Sequence, residues 1–173
     1  MVDGGARSFC FEFTEWAHKI EPLAKAPGVK EHWFYANSTH VIDLAFFLGG
    51  KPEQISCYVE GGLPWHPRGC RYAGAGRTTA GATFSYHADW SAPGRWAVEV
   101  MTAKRKFVLR PLEQLREVAL GRIEETETKL EDDLDRQYKP GLFRQVKSFL
   151  AGETADLKRL EEQVEDLALF HKM

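Results

Sequence analysis

Cysteine is scarce. The three that occur, Cys10, Cys57 and Cys70, are odd in number and show no C-x-x-C spacing. Such a set argues against a disulfide framework and against a cysteine-held structural zinc. Cys10 and Cys57 read instead as packing residues within strand-like runs. No sign of charge dominates: 23 Lys and Arg stand against 25 Asp and Glu, for a net charge of -2. No nucleic acid and no anionic membrane is therefore expected as a partner. The longest apolar runs, Val41–Ile42 and Leu44–Leu48, fall far short of a bilayer crossing. The six histidines include no H-x-x-x-H or H-E-x-x-H pair, so no metal site is expected. Met1 to Gly5 has no basic or apolar signal region, which makes the cytoplasm the expected location. Gly74-Ala75-Gly76 lacks the full G-x-G-x-x-G pattern and opens no helix, so it reads as turn glycines rather than a phosphate cradle.

What is present describes a soluble globular chain of 173 residues, 43% hydrophobic and 28% charged. That length suits one domain over 1–173, with or without a helical appendix. Phe9, Phe11 and Phe13 alternate with polar neighbours as a half-buried strand. Trp16 to Val29 reads as an irregular excursion, Ile55, Cys57 and Val59 as a second strand, and Gly61 to Gly81 as one long loop. A loop of that length inside a compact domain is often functional. It holds Trp65, His66, Arg68, Tyr72 and Arg77.

Phe84, Tyr86, Ala88 and Trp90 give the clearest strand. Ser91 to Gly94 reads as the turn of a hairpin into Trp96, Val98 and Val100. Further strands are expected at Phe107–Leu109 and from Leu115 to Leu120. Short turns between close strands imply antiparallel pairing. Arg122 to Tyr138 reads as an exposed connection. A helix is expected from Pro140 to Gly152, and a last one capped by Thr154 with Leu157, Leu160, Val164 and Leu167 on one stripe.

The stretch from Asn37 to Gly50 organises the chain. Asn37 or Ser38 is suited to cap a helix start, and Gly49 to end it in a left-handed turn. Val41, Leu44, Ala45 and Leu48 share one face, while Ile42, Phe46 and Phe47 make the other faces apolar, so the helix is expected to be buried on several sides. His40 and Asp43 are the polar exceptions. From spacing alone His40 is either a satisfied boundary residue or a group that faces a site.

Asn37-Ser38-Thr39-His40-Val41-Ile42-Asp43-Leu44-Ala45-Phe46-Phe47-Leu48-Gly49-Gly50-Lys51-Pro52 resembles the pattern G-x-H-x-x-D-x-x-x-x-L-x-G-x-P. That segment opens the C-terminal domain helix of the glucose–fructose oxidoreductase/inositol dehydrogenase (Gfo/Idh/MocA) family. The order of elements matches from about Ser8 onward. The resemblance implies an α+β fold: an open, mostly antiparallel sheet with helices on one face and a second copy of the chain on the other. It implies His40 as the catalytic group that takes a proton from a sugar or polyol hydroxyl. Asn37 is the nearest polar group beside it, and Trp33, Trp65, His66 and Tyr72, in the flanking irregular segments, are candidate substrate-binding residues, the alternative being that these aromatics only pack the loop.

Two departures accompany it. Many members have an aspartate four residues before the histidine, where this chain has Ala36. The Rossmann half, which binds NAD or NADP and carries the catalytic lysine, has no counterpart in these residues; Glu21-Pro22 lacks the lysine of an E-K-P motif. No cofactor is therefore expected in this chain. The implied partners are a homo-oligomer copy through the open sheet face, a separate Rossmann domain and a sugar-like small molecule. The expected function is the substrate-side and oligomerisation domain of an NAD(P)-dependent sugar or polyol oxidoreductase, inactive alone. The alternative is a freestanding, non-catalytic ligand-binding or scaffold module.

Overall fold

The computed structural model describes residues 2–155 and 157–173. The chain divides into two compact units, Met1–Thr128 with Met173, and Lys129–Lys172. The first unit is built on eight strands: β1 (Ser8–Glu12), β2 (Pro52–Glu60), β3 (Arg71–Thr78), β4 (Thr83–Asp89), β5 (Ala97–Met101), β6 (Arg105–Leu109), β7 (Leu115–Ala119) and β8 (Thr126–Thr128). They form one open sheet in the order β2-β3-β4-β1-β5-β6-β7-β8. Every pairing is antiparallel except β1 with β4. The expected open, mostly antiparallel sheet is the fold observed.

The expected hairpin between β4 and β5 does not form, because β1 lies between them. The reason is packing. Phe9, Phe11 and Phe13 are each 2% exposed or less. Phe9 stacks on Phe84 and Phe11 on Tyr86, both with ring centroids 5.3 Å apart. A strand so aromatic needs neighbours on both edges and a cover above. Fully burying one such side chain contributes roughly 1.5–3 kcal/mol, far more than a short turn can specify.

The cover is α2 (Thr39–Gly49). Phe46 meets Phe9, Phe11 and Phe84 edge-on at 5.7, 5.6 and 5.0 Å. The buried face of α2 runs through Val41, Ile42, Ala45, Phe46 and Gly49. The expected face of Val41, Leu44, Ala45 and Leu48 is thus turned: Leu48 is 36% exposed and Phe47 83% exposed, so the helix is buried on one side only. The helix also ends one residue later than expected. Gly50 takes the positive φ of 99°, whereas Gly49 is helical and lies against Phe9.

The long loop expected from Gly61 to Gly81 contains β3 in its second half. Gly74 and Gly76 pair with Tyr86 and Phe84. A Cβ at Gly74 would lie 2.4 Å from the Tyr86 ring, and one at Gly76 would lie 2.0 Å from the Gln54 carbonyl oxygen. These glycines are strand residues roofed by aromatic rings, which is why the run lacks an apolar alternation. The opposite face of this half of the sheet is exposed. It carries Arg71, Ala73, Ala75 and Arg77 on β3 and Thr83, Ser85 and His87 on β4.

The second unit holds α3 (Asp133–Gln137), α4 (Leu142–Ala151) and α5 (Leu160–Phe170). The start expected for α5 at Thr154 moves to Arg159, whose N–H donates to Glu162 Oε2 at 2.8 Å. Leu157 precedes the helix, and acidic Glu161 and Glu162 occupy its first turn, where the dipole favours them. Among the described residues no helix is long and apolar enough to cross a membrane.

Gly49→Ala sets two effects against each other. Alanine gains about 1 kcal/mol in helix propensity. Its Cβ, however, would lie 2.2 Å from Cε1 of Phe9, a ring 1% exposed and stacked on Phe84. Overpacking of a closed site costs about 1–3 kcal/mol. Urea unfolding should show the alanine variant less stable than the parent, and a midpoint equal or higher would mean that Phe9 can retreat.

Candidate functional site

The site begins where the aromatic row of β1 runs out. The alternation Phe9, Phe11, Phe13 carried one step further reaches Glu15. Its carboxyl is buried at 2% exposure. Its bonds go to uncharged donors. Ser38 Oγ donates to Oε1 at 2.8 Å, and Asn37 Nδ2 donates to Oε1 at 3.0 Å and Oε2 at 3.1 Å. The indole N–H groups of Trp33 and Trp96 are buried and make no bond of good geometry, yet both lie near enough to favour the charged carboxylate. Burial is the larger influence and raises the Glu15 carboxyl above its ordinary 4.5, against the pull of Ser38 and Asn37.

Asn37 and Ser38 therefore do not cap α2 as expected. The chain is already helical before them. Phe34–Ser38 forms a π-helical turn that runs directly into α2, with no side-chain cap on either. The wider turn frees both side chains to reach Glu15, and π-turns of this kind recur at functional sites. Phe34 anchors the turn below, stacked on Tyr72 at 5.5 Å and edge-on to Phe13 at 5.8 Å.

His40 follows two residues after Ser38 and is exposed. Its ring lies 6.5 Å from Trp96. The Arg95 guanidinium sits over Trp96 at 5.1 Å and over Trp16 at 4.8 Å. Trp16 is held by its indole N–H, which donates to the Gly94 carbonyl at 2.7 Å. The Arg95 backbone N–H donates to Glu12 Oε1 at 3.0 Å. The turn between β4 and β5 is thus fixed at several points beside the start of α2.

The structure separates the remaining residues. Trp33 is 8% exposed and meets Trp65 edge-on at 6.4 Å. Trp65 stacks on Trp90 at 6.1 Å, and His66 and Tyr72 pack on the same ring at 4.7 and 5.4 Å. The polar atoms of both are spent on one carbonyl: His66 Nδ1 lies 2.8 Å and the Tyr72 hydroxyl 3.1 Å from Gly69 O. Burial lowers the His66 pKa and raises that of Tyr72. Trp65, His66 and Tyr72 form a packed aromatic wall, with Trp33 joining it to the Glu15 pocket. Sequence reasoning missed Glu15, Trp16, Arg95 and the site-facing side of Trp96. A carboxylate continuing an aromatic row was the available signal.

Elsewhere, the helical unit has an open groove of about 870 Å³ lined by Val146, Phe149, Leu157 and Lys158 among others. Lys158 is paired with Asp166. Among the described residues no three His, Cys, Asp or Glu side chains group as metal ligands.

No protein-family model matches the sequence, and no curated protein matches it. Solved structures do. Levoglucosan dehydrogenase in complex with NADH and levoglucosan is 17% identical with a TM-score of 0.56, over 75% of this chain and 41% of that one. UDP-N-acetylglucosamine 3-dehydrogenase from Acidithiobacillus ferrooxidans is 12% identical with a TM-score of 0.62, over 88% and 46%. An oxidoreductase from Thermotoga maritima is 16% identical with a TM-score of 0.67, over 98% and 51%. This chain spans about half the length of the structures it matches.

Glu15 gives the fold a pH signature of definite sign. Its raised pKa means that folding favours the protonated form. That contribution is complete below the unfolded value near 4.5 and is lost as pH rises through the folded value. The groups with the opposite slope, Asp3 and Glu117, are both lowered chiefly by hydrogen bonds from Arg105 and are common to parent and variant. Thermal or urea unfolding of parent and Glu15→Gln should therefore converge, then cross in the variant's favour, as pH rises from 4.5 toward neutrality. A parent-minus-variant difference that is flat with pH would show that the carboxylate is not desolvated. The fold reached in this way, an open, mostly antiparallel sheet covered by a helix, is shared with about half of levoglucosan dehydrogenase, of UDP-N-acetylglucosamine 3-dehydrogenase and of the Thermotoga maritima oxidoreductase.

Proposed function

We propose that this chain is the substrate-side and oligomerisation part of an NAD(P)-dependent sugar or polyol oxidoreductase, inactive without a cofactor-binding half. The observation that carries the reading is the placement of His40. It is an exposed imidazole on the first turn of a helix whose other end is locked into the core. An imidazole with its ring exposed suits a group that bonds a substrate hydroxyl and takes its proton. Trp96 beside it, with Trp16 across Arg95, offers aromatic faces to the C–H face of a sugar ring. Asn37 and Trp33 stand at the same mouth in this reading. Trp65, His66 and Tyr72 back Trp33 from behind. The sugar class is supported by the names of the levoglucosan and UDP-N-acetylglucosamine dehydrogenases that share the fold.

The residues present do not fit a nicotinamide dinucleotide. The connections from β1 to α1 (Ala17–Ile20) and from β8 to α3 contain no glycine. Gly74 and Gly76 are covered by aromatic rings and cannot approach a pyrophosphate. In this reading the oxidant binds another segment or chain.

His40→Ala tests the reading. In the complete enzyme it should lower turnover on the order of a hundredfold or more. In this chain it should cost less than about 1 kcal/mol, because an exposed histidine holds little of the core. Unchanged turnover would end the assignment.

The open face of the sheet is the proposed oligomer surface. Between β2 and β4 it presents small and polar side chains, with Tyr58 70% exposed among them. Light scattering after size exclusion should report a mass of twice 19.7 kDa, and a monomer across micromolar concentrations would refute the dimer.

A further inference from the structure

We propose that Glu15 is a positioning residue of this site: from the end of the β1 aromatic row it clamps Asn37 and Ser38 and so fixes where His40 stands. The inference rests on the reading of His40 given above, and it goes beyond it by naming a carboxylate that no motif marks.

Three observations converge on Glu15. The first is its cost. A carboxylate 2% exposed whose bonds all come from uncharged donors is an expensive group to keep in a core. Glutamine would accept the Ser38 bond through the same oxygen without that cost. A residue that the fold alone does not require points to a use at the site.

The second observation is where the clamp acts. Asn37 and Ser38 lie three and two residues before His40, inside the π-helical turn. At its junction with α2 the turn is closed from within by the Thr39 N–H on the Phe34 carbonyl and by the Thr39 hydroxyl, which donates to the Tyr35 carbonyl at 3.0 Å, while the side chains of Asn37 and Ser38 are left to reach outside it, to Glu15. Ser38 is fully buried, and its hydroxyl is within 2.8 Å of Oε1. The lever from Glu15 to His40 is less than one turn of helix. Phe34 and Tyr72 fix the same turn from below, so Glu15 determines its polar side.

The third observation is the partner across the mouth. Trp96 borders both groups. Its indole N–H is buried near the Glu15 carboxylate, and its ring lies 6.5 Å from His40. Trp33 supplies a second buried indole N–H near the same carboxylate. The carboxylate thus joins two elements distant in sequence, the strand end and the helix start, across 22 and 23 residues. It stands against the turn where residue 36, an alanine, offers no acid of its own.

The experiment uses the 173-residue chain and no substrate. Proton NMR reads the His40 ring resonances, assigned against His40→Ala, and their cross-relaxation with Trp96. Amide exchange reads residues 37–41. Glu15→Ala should abolish the His40–Trp96 cross-peaks and speed exchange in 37–41 by about tenfold or more, with β6 and β7 within about twofold. Glu15→Gln, which keeps the acceptor, should restore both. If Glu15→Ala does not fold, Asn37→Ala combined with Ser38→Ala removes the donors instead and should give the same local signature. Unchanged cross-peaks, or faster exchange spread evenly over the whole sheet, overturns the proposal. Failure here leaves the sugar-oxidation reading standing. Unchanged turnover in His40→Ala would end that reading without touching the clamp.

Discussion

The aromatic row of β1 is the constraint on which the sheet unit depends. Phe9, Phe11 and Phe13 are buried by β4 on one edge and by α2 above, with β5 closing the other edge. Each ring touches several others at 5–6.5 Å, so no single strand pairing can slip without opening the whole cluster. The topology follows. β1 is central, β4 pairs with it in parallel with their rings stacked, and the segment leaving β4 crosses β1 before it becomes β5. The turn that carries Arg95 and Trp96 is that crossing, which is why it arrives beside the start of α2.

The same row sets the site. Past the end of β1 the chain stays in the core through Phe13 and Thr14, and Glu15 follows them there, 2% exposed. Position 15 inherits a core location and carries a carboxylate. The apolar environment then makes each available donor valuable: a hydroxyl, an amide and two indole N–H groups gather around it. The helix start is drawn to the strand end by this polar knot, while Phe34 and Phe46 draw the helix to the sheet by dispersion and apolar burial. Exposed His40 sits between these two anchors without belonging to either. Its setting combines a rigid base with a free imidazole.

Much of the fold was legible in the sequence because it follows period-two alternation. β4, β6 and β7 begin or end within two residues of where the pattern places them. The failures share one cause: information held by a distant partner. β3 shows no alternation because the rings over Gly74 and Gly76 belong to β4. The hairpin from β4 to β5 is locally well formed in sequence, and only the aromatic content of β1 overrules it. The face of α2 was misjudged by one step because Gly49, the smallest residue, marks the closest approach to Phe9. For the candidate site, the helix motif pointed to His40 and Asn37; Glu15 showed only as a carboxylate continuing the row of three phenylalanines, because the groups that bind it lie 22 and 23 residues further on.

Under the proposed function, the separation between the mouth and the wall decides which positions can vary without disturbing the core. Trp65, His66 and Tyr72 pack on Trp90, and the polar atoms of His66 and Tyr72 are committed to Gly69. Altering them disturbs the core before it alters a ligand contact, so they are poor positions for variation. Arg95 and Trp96 end the turn between β4 and β5, which the Trp16 indole holds at the Gly94 carbonyl and the Glu12 carboxylate holds at the Arg95 N–H. The Arg95 side chain is exposed and lies over both rings, so it can change while these bonds keep the turn in place. In the substrate-side reading proposed above, variation in ligand contact is therefore expected at Arg95, with the strand end and helix start kept as the fixed frame.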